Sequence, residues 1–251
     1  DHRDLHSFPT RRSSDLININ YEIYGNNKKK TIVLLHGWGQ NIDMMKPLGN
    51  YLENDYQILI IDLPGFGNSE EPKYAWSLLD YVKSIREIII KEKIENPIMM
   101  GHSFGGKLAL LYASIYDVSK LVVFASPINH NHKVSLKSKA LKSIKKLPLM
   151  NELGEKMKKH IGSTDYKNAS PIMREILVNH LNTDIYDELP NIKASTLIVW
   201  GENDITVSPN VAYEIDNAIP DSGVVLLPGT HYAYLENLNR VVDILYKFLE
   251  G

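Results

Sequence analysis

The sequence contains no cysteine, and this absence excludes several kinds of site. Without thiols the chain has no disulfide, zinc–thiolate site, iron–sulfur cluster or cysteine nucleophile. Its 251 residues carry a formal net charge of only -2, unlike the basic surface of a nucleic-acid-binding protein. No apolar run approaches the roughly 18 residues of a membrane span, and no secretory signal is visible. These absences predict a soluble, cytoplasmic protein with no nucleic-acid partner and no stable membrane insertion.

Arginine is scarce beyond the first sixteen residues. Residues 1–16 contain three of the six arginines, whereas the rest of the chain has 22 lysines and arginine only at positions 86, 174 and 240. So abrupt a change in composition predicts that residues 1–16 are a non-native tail, and a native basic arm is the alternative. We exclude this segment from functional reasoning, because such tails carry no information about the fold.

Short apolar runs alternate with segments of helical periodicity along the rest of the chain. This alternation predicts an α/β fold with a mostly parallel sheet flanked by helices. The predicted strands are residues 17–24, 31–35, 57–62, 97–100, 120–125, 196–200 and 224–227, and the predicted helices include 78–90, 107–115 and 241–249. Residues 128–191 have helical character only and are too many for a structureless loop. We predict that they form a helical cap inserted into a core of residues 17–127 and 192–251.

Ser103 lies in a G-x-S-x-G pattern between a predicted strand and a predicted helix. Such a tight turn requires small residues two positions before and after the serine, and Gly101 and Gly105 supply them. The turn would present Ser103 Oγ at the sheet edge, where the helix N-terminus faces a developing oxyanion. A P-loop is a rival interpretation, but Leu108 stands where that loop needs serine or threonine. A glycine turn without chemistry is the other alternative.

Further polar motifs also follow predicted strands. HGWG occupies residues 36–39, GEND occupies 201–204 and GTH occupies 229–231. Ligands bind at the carboxyl ends of the strands in open α/β sheets, so these motifs are expected to meet Ser103 there. The order Ser103, Asp204, His231 along the chain is the serine–acid–histidine order of one class of serine hydrolase.

Taken together, five motifs resemble those of the α/β-hydrolase family, over residues 17–251. The matching segments are HGWG at 36–39, DLPGFGNS at 62–69, GHSFGG at 101–106, GENDITV at 201–207 and GTHYAYLEN at 229–237. The resemblance implies Ser103 as nucleophile, Asp204 as orienting acid and His231 as general base, with an oxyanion hole formed by the N–H groups of Trp38 and Phe104. It also implies a cap inserted after the sixth family strand, and it places the first strand of the family's opening hairpin within residues 1–16.

These motifs predict a cofactor-free, carboxylesterase-like serine hydrolase that cleaves an ester or similar acyl bond through an acyl-enzyme. Trp38 and Phe66 are candidate substrate-binding residues that either line the acyl pocket or only pack. A carbon–carbon bond hydrolase or lyase acting on a small anionic acid, and a ligand-sensing receptor on the same fold, remain alternatives. We expect a small-molecule substrate, no metal, and a monomer or homodimer.

Several other polar residues are expected to have structural roles. His36 and His102 are predicted to form structural contacts, Asp62 to cap a turn, and the cap residue His180 to face solvent. Residues 133–159 contain nine lysines and two acids, a local charge of +7. This segment is either a solvated face or a source of attraction for an anionic substrate or surface.

Overall fold

A computed structural model describes residues 17–27, 29–129 and 169–250, and within these ranges seven strands form one sheet. The strands are β1 Tyr21–Gly25, β2 Thr31–Leu35, β3 Gln57–Ile61, β4 Ile98–His102, β5 Lys120–Phe124, β6 Thr196–Gly201 and β7 Ser222–Leu227. Their order across the sheet is β1-β3-β2-β4-β5-β6-β7. Strand β1 runs antiparallel to β3, and all other neighbours are parallel. The predicted mostly parallel sheet is confirmed.

Helices connect most of the parallel strands. In the described ranges they are α1 Ile42–Leu52, α2 Leu78–Lys91, α3 Phe104–Ile115, α4 Pro171–Asn182, α5 Asn210–Ala218, α6 Ala233–Glu236 and α7 Leu238–Glu250, with a 3-10 helix at Tyr186–Asn191. The sequence analysis did not predict α1, which contains Pro47. Proline normally interrupts a helix, but at Pro47 the helix continues to Leu52. None of the described helices is long and apolar enough to cross a membrane.

The sheet is buried on both faces. Because side chains alternate along a strand, Val33 and Leu35 of β2 contribute to one apolar cluster, whereas Ile32 and Leu34 contribute to the other. Helices α2 and α3 belong to the first cluster, and α1 and α7 belong to the second. Helices on both faces leave the carboxyl ends of the parallel strands as the open edge, where loops carrying polar residues converge.

The boundaries of some predicted elements differ from those in the structure. Strand β1 begins at Tyr21 rather than at position 17. The residues before it run beside the loop after β3 instead, where Asn18 N donates to Glu70 Oε2 and Asp62 N donates to Asn20 O. Of the predicted cap, residues 169–191 include α4 and the 3-10 helix. Residues 130–168, with the lysine-rich segment, lie outside the described residues, as do residues 1–16.

Candidate active site

Ser103 occupies a strained turn between β4 and α3. Its backbone has φ 51° and ψ -113°, outside the usual regions for a residue with a side chain. The turn is held by two backbone hydrogen bonds, from Ser103 N to Phe124 O (2.8 Å) and from Lys107 N to Ser103 O (3.0 Å). A Cβ at Gly101 would overlap the carbonyl of Gly105. The predicted tight turn is therefore present, and its glycines are required by close backbone approach.

Asp204 and His231 form a buried pair at the ends of β6 and β7. His231 Nδ1 lies 2.8 Å from Asp204 Oδ2, and both side chains are almost entirely shielded from solvent. The other carboxylate oxygen, Oδ1, accepts the N–H groups of Thr206 (2.8 Å) and Val207 (2.9 Å). These bonds fix the carboxylate, so Asp204 can hold His231 Nδ1–H and leave Nε2 as the basic nitrogen. Glu202, the neighbouring acid, is exposed.

His102 connects the turn of Ser103 to the loop of His231. Its Nε2 lies 3.0 Å from the main-chain oxygen of His231, and the two rings have centroids 4.8 Å apart. Full burial lowers the pKa of His102 to about 3, and nearby His231 lowers it further. His102 is therefore neutral and structural, as predicted. Because His102 directly precedes Ser103, this contact places the main chain of His231 next to the turn of Ser103.

The HGWG loop is fastened to the loop after β3 by His36. His36 Nδ1 donates to Gly37 O (2.7 Å), while Nε2 accepts the N–H of Leu63 (2.9 Å). Burial lowers the pKa of His36 to about 4. The imidazole is therefore neutral, as its acceptor role at Nε2 requires. Asp62 accepts the N–H groups of Ile42 (2.8 Å) and Asn68 (2.9 Å), so its predicted role as a turn cap is confirmed.

Aromatic rings form a cluster beside the turn of Ser103. Trp38 packs edge-on against Phe66, with centroids 4.9 Å apart, and against Phe104 at 5.4 Å. The ring of His180, on α4, joins them at 4.5 Å from Phe104 and parallel to Trp38 at 6.3 Å. The prediction that His180 faces solvent is wrong: only 4% of it is exposed, because α4 packs its inner face on this cluster.

Lys107 joins α3 to α4. Its side chain is fully buried, and Nζ donates to His180 O (2.9 Å) and Thr183 O (2.6 Å) at the carboxyl end of α4. A cation is favourable there because the last carbonyls of a helix lack partners and carry its negative end. Burial lowers the pKa of Lys107 to about 8, an effect that the charge of Asp184 opposes. Lys107 occupies the lysine position of the alternative P-loop pattern, and in the structure this lysine binds the end of α4.

Sequence reasoning missed the contributions of Lys107 and His180. The helical spacing of the apolar residues Met173, Ile176 and Leu177 places position 180 on the same face, but the sequence analysis did not use this spacing. A second signal was the lysine directly after GHSFGG, which stands among the apolar residues of α3. Among the described residues, no group of three or more His, Asp or Glu side chains could hold a metal ion.

Comparison with known proteins supports the relationship suggested by the motifs. A profile of the family described as alpha/beta hydrolase fold matches residues 30–152. Lipase 1 of Psychrobacter immobilis is 26% identical over 89% of this chain and 78% of its own length. An AB hydrolase superfamily protein of Bacillus subtilis is 24% identical over 87% of this chain and 91% of its own length.

Solved structures share the fold across nearly the whole chain. The esterase from Exiguobacterium antarcticum superposes with a TM-score of 0.74 and 22% identity, covering 94% of this chain and 96% of that one. This structural similarity covers more of the chain than the segment matched by the family profile. The profile match and the structural similarity together show that the chain has the α/β-hydrolase fold.

Proposed function

We propose that the chain is a serine esterase in which Ser103 is the nucleophile, His231 the general base and Asp204 the orienting acid. The observation that carries this proposal is the buried Asp204–His231 hydrogen bond of 2.8 Å, at the same sheet edge as the strained turn of Ser103. A serine hydroxyl needs a base to become nucleophilic, and a fixed carboxylate gives the imidazole the required tautomer.

Acylation begins when Ser103 Oγ attacks the carbonyl carbon of the ester. His231 Nε2 takes the hydroxyl proton, and the carbonyl π electrons move onto oxygen. The N–H groups of Trp38 and Phe104 are our candidates to bind this oxyanion; Phe104 is the first residue of α3, where helix N–H groups lack carbonyl partners. When the tetrahedral intermediate collapses, its C–O bond to the leaving group breaks. The departing alkoxide takes the proton from His231.

Deacylation repeats the same chemistry with water. His231 Nε2 removes a proton as the water oxygen attacks the acyl carbon, and the second tetrahedral intermediate expels Ser103 Oγ. The proton returns from His231 to Ser103, and the free acid leaves. Asp204 keeps its charge throughout and stabilises the imidazolium formed in each half-reaction.

Part of the substrate pocket would be lined by the aromatic cluster of Trp38, Phe66, Phe104 and His180. Its rings lie beside the turn of Ser103, with Trp38 and Phe66 partly exposed. We retain the cap of residues 128–191 over a core of 17–127 and 192–251 as part of the proposal. It is supported by α4, whose His180 packs on Trp38 and Phe104. The expected substrate is a small molecule.

The test is turnover of p-nitrophenyl esters of increasing acyl length by the protein and by Ser103→Ala. We expect Ser103→Ala to lower kcat by roughly six orders of magnitude, the scale observed when a serine nucleophile is removed. Labelling by a fluorophosphonate probe should disappear in the same variant.

Ser114→Ala is the matched control, since Ser114 lies on the same helix and donates to Leu111 O, away from the turn. It should retain both turnover and labelling. Undiminished labelling of Ser103→Ala would refute the nucleophile assignment. A single slow turnover by the unmodified protein would favour the receptor alternative, and turnover of a dienoic acid substrate alone would favour the carbon–carbon hydrolase.

A further inference from the structure

The imidazole of His180 is a polar ring enclosed by aromatic neighbours. It lies against Phe104, with centroids 4.5 Å apart, and parallel to Trp38 at 6.3 Å. These are the two residues whose N–H groups we propose for the oxyanion hole. A group bound beside the scissile carbonyl would therefore lie close to this ring.

His180 Nδ1 has no hydrogen-bond partner among the described residues, although it is inaccessible to solvent. Burying a polar atom without a hydrogen bond destabilises a protein, and such atoms are rare in folded structures. Phenylalanine or leucine at position 180 would fill the same space without this cost. The ring nitrogen is therefore better explained by a partner that binds than by packing alone.

Lys107 holds the main chain of this histidine and adds to the effect of burial on its charge. Its ammonium binds the carbonyl of His180 itself, at 2.9 Å, and that of Thr183, at 2.6 Å. Burial, with a further contribution from the Lys107 charge, lowers the pKa of His180 well below its usual value of 6.5. The imidazole is thus neutral at pH 7 and offers one donor and one acceptor nitrogen rather than a cation.

We propose that His180 is a specificity-determining residue whose Nδ1 forms a hydrogen bond with an oxygen atom on the acyl chain of the substrate. This inference rests on the proposed esterase function and narrows its substrate class. Acyl groups that carry a hydroxyl oxygen near the scissile carbonyl are preferred over alkyl groups of the same shape. A neutral partner suits a neutral imidazole, so the preference is for a hydroxyl rather than a carboxylate.

The test compares isosteric ester pairs, such as p-nitrophenyl 3-hydroxybutanoate and p-nitrophenyl 3-methylbutanoate, and the corresponding pair substituted at carbon 2. For each ester, kcat/KM of His180→Phe is divided by that of the unmodified protein, so the intrinsic reactivity of the ester cancels. We expect His180→Phe to lower the value for a hydroxylated ester by about tenfold, the effect of one lost hydrogen bond. The value for its methyl isostere should be unchanged or higher.

Two further variants separate hydrogen bonding from packing. His180→Asn places an amide near the position of Nδ1 and should restore part of the preference for the hydroxylated ester. Leu177→Ala truncates a buried apolar side chain on the same helix and should affect both members of a pair equally. If His180→Phe lowers kcat/KM equally for both esters of a pair, as we expect of Leu177→Ala, the imidazole only packs and the proposal is wrong.

Binding to Ser103→Ala, measured by calorimetry, keeps this inference separate from the esterase proposal. A tighter Kd for the hydroxylated ester that disappears in Ser103→Ala/His180→Phe supports the role of His180, even if the unmodified protein hydrolyses neither ester. In that event the esterase proposal alone fails. Equal Kd values for both esters of each pair in Ser103→Ala would overturn the role of His180.

Discussion

The backbone at Ser103 is held in a conformation that most side chains avoid, and its neighbours supply the constraint. With φ at 51°, the residue is strained, and such strain persists only where the surroundings impose it. Gly105 allows the turn to approach β2 so closely that a Cβ there would overlap the main-chain oxygens of Leu35 and His36. These contacts are with backbone, which cannot move aside as the end of a flexible side chain could.

Gly105→Ala is therefore expected to damage both stability and activity. Overpacking of this kind costs about 1–3 kcal/mol in free energy of unfolding, and a displaced nucleophile lowers kcat by about 100-fold. Urea denaturation and ester turnover measure the two effects. Gly223→Ala in β7 is the matched control, since a Cβ at that position meets no atom within 4 Å. Equal stability and activity in both variants would contradict this account of the turn.

At the scale of the secondary-structure elements, short buried strands were predictable and surface helices less so. Runs such as IVLL in β2 are apolar throughout because parallel strands are covered on both faces, and turn residues mark their ends. Helix α1 carries Pro47 and was not predicted, although Asn41 caps its first turn by accepting the N–H of Asp43. The docking of α4 could not be predicted, because its partners come from two separate loops and from α3.

The bonds from Lys107 to α4 predict that this helix depends on a single buried side chain. Lys107→Met fills a similar volume but removes the donor to the carbonyls of His180 and Thr183, and the buried carbonyl of His180 left unsatisfied costs about 1–3 kcal/mol. Hydrogen exchange of peptides covering residues 171–183 should accelerate by at least about tenfold. Peptides from the central strands should keep their protection.

Lys193→Met provides the comparison for that experiment, since Lys193 is exposed and only 3.7 Å from the similarly exposed Asp117. It should leave exchange in α4 unchanged. Unaltered exchange in Lys107→Met would show that packing of the apolar face of α4 suffices to hold it.

For the whole molecule, the candidate catalytic motifs were readable from the sequence because each follows a strand at the same edge of the sheet. The order of strands brings Ser103, Asp204 and His231 to that edge although more than a hundred residues separate the first from the others. The electrostatic consequences of burial were not readable. Nothing in the sequence distinguishes His36, His102 and His180 from exposed histidines. Only burial in the folded protein lowers their pKa values.

These three buried histidines predict that the protein loses stability in acid. The pKa is lowered from 6.5 to about 4 for His36 and to about 3 for His102, and that of His180 is also well below 6.5. Between pH 4 and 6.5 the unfolded chain therefore binds protons that the folded protein does not. Stability is fully present above 6.5 and falls with pH, by about 1.4 kcal/mol per pH unit for each histidine.

His180→Phe removes one of these groups, so it isolates the contribution of one histidine to the loss of stability in acid. Because phenylalanine does not titrate, the free energy of unfolding of this variant should fall less steeply with pH, by about 1.4 kcal/mol per pH unit. Urea denaturation at several pH values from 4.5 to 6, at constant ionic strength, measures both slopes. Carboxylates contribute equally to the two proteins and cancel in the difference. Parallel slopes would mean that His180 takes up its proton in the folded state, which is incompatible with a neutral imidazole held beside Trp38 and Phe104.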